Sequence, residues 1–445
     1  MAKDEIRLSD HFTVKRLIRF TFVPTMALLV TSLYSIVDSW FIANYTDTTA
    51  FAAVILMMPY VLTFPAVGFM IGGGGNALIS KVLGEGDEEG AGRVLSMMME
   101  LCFLAGLVMT ALGQLLLKPF LFLLKTDGRL LECSLTYGRI MLCGVTLVSL
   151  MYVFQLFLIT AEKQTLAFLV TLSAGITNII LDALLIIVFD MGLRGAAIAS
   201  VTGQTVGTVI PLIYFLVNKN AALHFRLTAL KASVCLKSCG NGVSEMIENI
   251  AEGFVGMLYN YQLLRFAGEA GVDAYGAVHV TFTVFTLLFV GFNEAAIPVV
   301  GFHYGSGNRA ELKNLFRIWG RIMLTLSAGM FVLVEFLAPL LADLFVEKGT
   351  DLMDMTIRGF RICGISLLFL GINYFATSFF TALNNGLVSG IISLLVMLVF
   401  PFVTVMGLPA FLDIDGIWAS LAVTGLLGTL SSCIAFARER KRYGY

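Results

Sequence analysis

The chain alternates between long apolar stretches and short polar links, with no period-two alternation of the kind a half-buried strand would show. Apolar runs of about 20 residues or more, enough to cross a bilayer as a helix, fall at 17–43, 51–80, 93–117, 130–160, 165–189, 195–217, 238–266, 272–302, 315–341, 357–382, 386–410 and 415–437. The pattern predicts an all-α polytopic membrane protein of twelve transmembrane helices. The longest polar link, Asn218 to Ser238, divides the chain into near-equal parts. The expected organisation is a first lobe over 1–218, a linker over 219–237 and a second lobe over 238–445. No link is long enough to fold as a separate catalytic domain.

Composition agrees: 58% of residues are hydrophobic and 13% charged, where soluble domains carry about 25% charged residues. The opening "MAKDEIRLSDHFTVKRLIRF" is charged and runs straight into the first apolar segment, unlike a cleavable secretory signal. Twelve crossings put both ends on one face. Of the 29 Lys and Arg, 20 fall on that face and nine on the other, so the positive-inside rule predicts cytoplasmic termini and an inner-membrane location. The net charge of −1 gives no reason to expect nucleic acid. The seven cysteines are scattered, odd in number and without further zinc ligands, which reads as apolar packing. The bilayer and small molecules are the expected partners, and the expected state is a monomer.

The two parts of the chain repeat each other. Gly84 and Gly86 stand 221 residues before Gly305 and Gly307. The same offset joins Thr160-Ala161 to Thr381-Ala382 and Gly195 to Gly416, and Pro119 matches Pro339 with one residue of slip. An even number of helices in each repeat keeps corresponding loops on one face. The repeats are then parallel, related by an axis along the membrane normal, as in one kind of transporter architecture.

Pro24 with "LYSIVDSWFI" in helix one, "GGGGNALISKVLGEGDEEGAGRVL" with its echo "VVGFHYGSGNRAELKNL", and "TNIILDALLI" in helix five together resemble the multidrug and toxic compound extrusion (MATE) transporters. The resemblance covers nearly the whole chain. The helix-one aspartate with the Asn-x-x-x-Asp of helix five looks like the DinF-like branch. This likeness implies a V-shaped twelve-helix fold and cation-coupled export.

Several polar residues interrupt the spans. A carboxylate at the bilayer centre costs roughly 2.5–3.5 kcal/mol on insertion scales, so Asp38 in helix one needs a reason. Helix five carries Asn178 and Asp182, four apart and on one face, and helix six carries Thr202 and Gln204. If these gather around Asp38 they make an all-oxygen cluster suited to Na⁺, or a carboxylate pair that shares a proton. The competing role is bracing between helices. The family likeness assigns Asp38, Asn178, Asp182 and Thr202 to the coupling cation. Helix seven carries Glu245, Glu248 and Glu252 along one stripe, and Glu294 follows on helix eight. Such a stripe must face a cavity or the inner mouth, where Glu245 could simply be solvated. Glu248, Glu252, Glu294, Asn260, Asn373 and Gln204 are the candidate substrate contacts. Asn373 stands where other branches of the family keep an aspartate, which favours substrate recognition over a second coupling site. Pro24 is the expected hinge of helix one.

The Gly72–Gly75 run lacks the Lys-Ser/Thr of a phosphate loop and reads as close helix packing. His303 is expected at the membrane interface. No nucleotide motif and no catalytic set of a membrane enzyme appears, so no cofactor beyond Na⁺ or H⁺ is expected. The leading expectation is a secondary active exporter of organic cations or amphiphilic drugs. The alternative is a flippase for lipid-linked saccharides, for which a cationic cavity rather than an acidic one would be needed.

Overall fold

The computed structural model describes residues 6–219 and 221–445, so Lys3 of the charge count lies outside the described residues. The described residues form sixteen α-helices: α1 Val14–Tyr45, α2 Thr48–Thr63, α3 Ala66–Gly84, α4 Glu88–Leu123, α5 Gly128–Cys143, α6 Val145–Thr160, α7 Gln164–Asp182, α8 Gly192–Val217, α9 Ala232–Asn241, α10 Val243–Gly305, α11 Arg309–Asp343, α12 Asp351–Gly364, α13 Leu367–Ala382, α14 Gly386–Leu394, α15 Phe400–Gly407 and α16 Pro409–Tyr443. A π-helical turn follows α7 (Ala183–Val188) and another joins α14 to α15 (Leu395–Val399).

Among the described residues nine helices are long and apolar enough to cross a membrane, or eleven when two bent pairs count as single spans. At 63 residues α10 would be about 95 Å long if straight, three times a hydrocarbon core. Gly268, at φ 64° and ψ −153°, breaks it into two crossings. The expected twelve paths are therefore all present. What the apolar pattern could not show is where paths bend or break: at Phe64-Pro65 between α2 and α3, at Gly144 by 43°, and at Ile365-Ser366 by 44°. α1 continues through Pro24 as one helix, although the ring removes a backbone donor.

The backbone repeats as the sequence does. Gly86 and Gly307 both take the left-handed region, as do Gly128 and Gly349, and Gly192 and Asp413, each pair 221 residues apart. Asp87 and Asn308, the next equivalent pair, cap α4 and α11 by accepting from the backbone N–H three residues on, at 2.7 and 3.1 Å. The two bends, at Gly144 and at Ile365, share that spacing too.

Burial defines how the lobes meet. One buried cluster around Phe41, Met57, Tyr137 and Leu193 belongs to the first lobe, and another around Tyr259, Phe360 and Trp418 to the second. A third, from Ile71 and Phe157 through Val299 to Phe379, joins both. It lies toward the ends carrying the glycine-rich loops, so the lobes share a core there and keep separate cores at the opposite ends. The seam is two-fold. A Cβ on Gly84 would strike the Phe302 carbonyl, and one on Gly305 would strike the Lys81 carbonyl. Since Lys81 and Phe302 are themselves 221 apart, these are one contact made twice. Ser80 and Gly301, also equivalent, touch each other on the axis.

The segment before α1 crosses the seam on the loop face. Leu8 N–H donates to Glu162 of the first lobe (2.6 Å), Phe12 N–H to Glu311 of the second (2.9 Å), and Asn314 donates to the Phe12 carbonyl (2.8 Å). His303, expected at the interface, is instead buried under this segment, 3.2 Å from the Asp10 carbonyl. Its position near a helix end says nothing of the strand of chain that covers it.

Candidate functional site

Two groups of acids sit inside the membrane-spanning region, one in each lobe. In the first lobe α1 and α7 run side by side, and Gly175 lets the Tyr34 ring approach α7. One turn further along α1 and two along α7, the Asp38 and Asp182 side chains meet. Asp182 is fully buried and ends α7 at the π-turn, and Tyr137 of α5 stands beside both carboxyls. Asn178 is buried where α7 meets Gly203 of α8, its amide 3.5 Å from the Ser200 hydroxyl. Four buried oxygens here have no hydrogen-bond donor: Asp38 Oδ1, Asn178 Oδ1 and both carboxylate oxygens of Asp182. Among the described residues no Lys or Arg pairs with either aspartate. Facing acceptors without a donor are satisfied by a proton, a cation or a water molecule.

The Thr202 hydroxyl donates to the Ile198 carbonyl at 2.7 Å in its own helix, which leaves its oxygen lone pairs unspent. Ser200 is the α8 hydroxyl beside Asn178. Residues 198–202 turn through more than one helical revolution, and spacing alone does not say which of two nearby hydroxyls faces α7. Gln204 packs over Gly144 at the α5–α6 bend, with its carbonyl oxygen buried and unpartnered. It lies away from the cavity between the lobes.

That cavity, about 460 Å³, opens between the lobes and is lined mainly by α10, α13, the second π-turn and α16, with Leu28, Phe69 and Tyr152 from the first lobe. Glu245, Glu248, Glu252 and Glu294 all face it. The Tyr152 hydroxyl donates to Glu294 at 2.7 Å, and the Ser393 hydroxyl, just before the second π-turn, donates to Glu248 at 3.0 Å. Glu245 is buried against Gly73, not solvated. Glu252 is exposed within the cavity beside Tyr275 and Tyr374. Asn373 reaches the wall but spends its amide on the Gly425 carbonyl at 3.1 Å, tying α13 to α16. Asn260 is exposed and outside the lining. Among the described residues no Lys or Arg lines the cavity, and no three His, Cys, Asp or Glu are arranged as a metal centre.

Tyr152, Ser393 and Tyr137 were not singled out from the sequence. Their one signal is a polar tip on an otherwise apolar helix, which many residues share. Both π-turns adjoin an acidic group, a placement often seen at functional sites, and neither turn has a sequence signature.

Two parallel-repeat lobes sharing one seam, each with acids buried inside the membrane, define a multi-pass membrane transporter. The MatE family model matches residues 25–184 and again 246–406, one match per repeat. The chain thus belongs to the MatE family of multidrug and toxic compound extrusion transporters. The multidrug export protein MepA of Staphylococcus saprophyticus is 22% identical over 431 residues, covering 96% of this chain and 94% of that protein. A MATE crystal structure in complex with MaL6 superposes with a TM-score of 0.90 at 19% identity, covering 100% of this chain and 99% of the other. An outward-facing MATE transporter of the MOP superfamily gives 0.89 at the same identity and coverage.

Proposed function

We propose that the protein is a secondary active multidrug exporter that couples the outward passage of organic cations or amphiphilic drugs to the inward movement of Na⁺ or H⁺. The observation that carries this reading is the unpartnered cluster of Asp38, Asn178 and Asp182. A buried set of acceptors with no basic neighbour can take up a small cation, and giving it up again on the other side is transport. The helix-one aspartate with the helix-five Asn and Asp supports the DinF-like branch. The cavity between the lobes supplies the drug site: four carboxyls attract a cation, and Phe69, Tyr275 and Phe282 offer flat faces to it. The export named for the relatives supports the same substrate class.

With the loop ends of α3 and α10 sealed, and the positive-inside count placing them in the cytoplasm, this conformation faces outward. Cation uptake by Asp38 and Asp182 from outside would reshape α1 near Pro24, and α1 packs on α10 through Thr25 and Gly291. Coupling requires that ion and drug favour different states, since a ligand with equal affinity for both shifts nothing. An inward charge gains about 2.3 kcal/mol per 100 mV. An acid-lined cavity without Lys or Arg disfavours transport of a lipid-linked pyrophosphate.

The test is drug-stimulated cation flux in proteoliposomes, with Na⁺ and pH gradients imposed separately. One gradient is expected to drive ethidium export, and Asp38→Asn is expected to abolish it. Undiminished export by a normally folded Asp38→Asn protein would overturn the coupling role.

A further inference from the structure

We propose that the loop end of α11, with the last turns of α16, is a binding site for the phosphate headgroup of an anionic phospholipid. Arg309, Lys313, Arg317 and Arg321 recur every four residues and form one stripe along the first turns of α11. Lys313 and Arg317 border a pocket of about 320 Å³ with Arg440 of α16 on its other side. The floor is aromatic. Tyr445 is buried and stacks on Phe316 with ring centres 4.7 Å apart, and Phe436 meets Phe316 edge-on at 5.1 Å. Among the described residues none of Lys313, Arg317 and Arg440 has a carboxylate within ion-pair distance. The nearest acids in sequence are taken up elsewhere, Glu311 by His11 and the Phe12 amide and Glu439 by Arg442 and the Asn385 amide.

The repeat supplies an internal control. At the same offset the first lobe places Glu88, Gly92, Ser96 and Glu100 on α4, where α11 has its four cations. There the neighbouring Arg93 is paired with Asp87 and Glu89, and Arg226 with Glu89. The fold therefore does not require a basic stripe at this position. Marking the cytoplasmic face requires only charge on that face, not charge converging over a ring-lined pocket. The occupant follows from what continues the stripe. Beyond Arg321 the same side of α11 presents Leu324 and Val332, both exposed. A molecule seated here meets cations at the membrane edge and bare hydrocarbon directly beneath. Phosphate above acyl chain is the chemistry that fits both, and basic pockets between spanning helices take such headgroups.

The purified full-length protein is compared by native mass spectrometry with Lys313→Gln/Arg317→Gln/Arg440→Gln and with a charge-matched control, Lys15→Gln/Arg19→Gln/Lys237→Gln. The control removes three exposed cations from the same face. The probes are phosphatidylglycerol, phosphatidylcholine and inorganic phosphate. Parent and control are expected to retain phosphatidylglycerol in preference to phosphatidylcholine, and the α11–α16 variant to bind it about ten- to a hundredfold more weakly. Equal weakening of both variants would reduce the effect to general surface charge and overturn the site. Displacement of the lipid by millimolar inorganic phosphate would overturn it in favour of a free-anion site.

Discussion

Asp182 places two oxygens in a space from which water is excluded and meets there a second carboxylate, not a base. If one cation serves both aspartates, their contributions cannot be independent. Residues acting as a unit are non-additive, so Asp38→Asn and Asp182→Asn are each expected to abolish cation-coupled export, and the double variant to bind the cation no worse than either alone. Additive losses in cation affinity would indicate two separate sites. Tyr152 gives a second residue-scale prediction. Its hydroxyl is the donor that fixes Glu294, and hydrogen bonds to charged groups are worth about 1.5–3 kcal/mol. Tyr152→Phe is expected to weaken drug binding by roughly tenfold or more, measured by fluorescence titration, while leaving cation-driven opening intact.

At the level of elements, the apolar pattern located every crossing because a run of about 20 residues is what a bilayer selects. It located Asp38 and Asp182 for the same reason, since an acid inside such a run stands out. It did not show which side of a helix a hydroxyl takes, so Ser200, which meets Asn178, was not legible. Nor could it reveal the π-turns, which arise from tertiary packing. Asp47 accepts from Ala50 N–H at 2.9 Å to begin α2 and pairs with Arg129. That amide bond, with Arg129 second, holds the Asp47 carboxyl below its ordinary range. A depressed carboxyl stabilises the fold above its unfolded value and ceases to as pH falls through its lowered one. Asp47→Asn keeps a capping side chain. It is expected to melt at a lower temperature than the parent at pH 7 and to lose that difference below about pH 4, as thermal unfolding in detergent would show.

For the whole molecule, the duplication read at one offset in the sequence reappears as paired left-handed residues, paired bends and a reciprocal contact. The sealing of the loop ends was not legible, because one sequence serves every state of a transporter. Ser80 and Gly301 offer a way to hold this state. A Cβ on Gly301 would stand 3.2 Å from that of Ser80, a few tenths of an ångström inside the roughly 3.5–4.5 Å of disulfides, so a small separation of the two helices admits the bond. In a background freed of the seven native cysteines, Ser80→Cys/Gly301→Cys is expected to stop export on oxidation and to recover it on reduction. Export that continues through complete cross-linking would mean that the seam does not part.

The second crossing of α10 has a mechanical consequence. It carries Glu294 and, near its end, Phe302 and Gly305, so the carboxyl that lines the cavity and the carbonyl wedged against the opposite lobe share one helix, with Pro298 between them. Eight residues of helix separate Glu294 from Phe302, about 12 Å. Between them Pro298 leaves the Glu294 carbonyl without its helical donor, so a tilt that admits a bulky guest bends the helix there as well as levering at the joint.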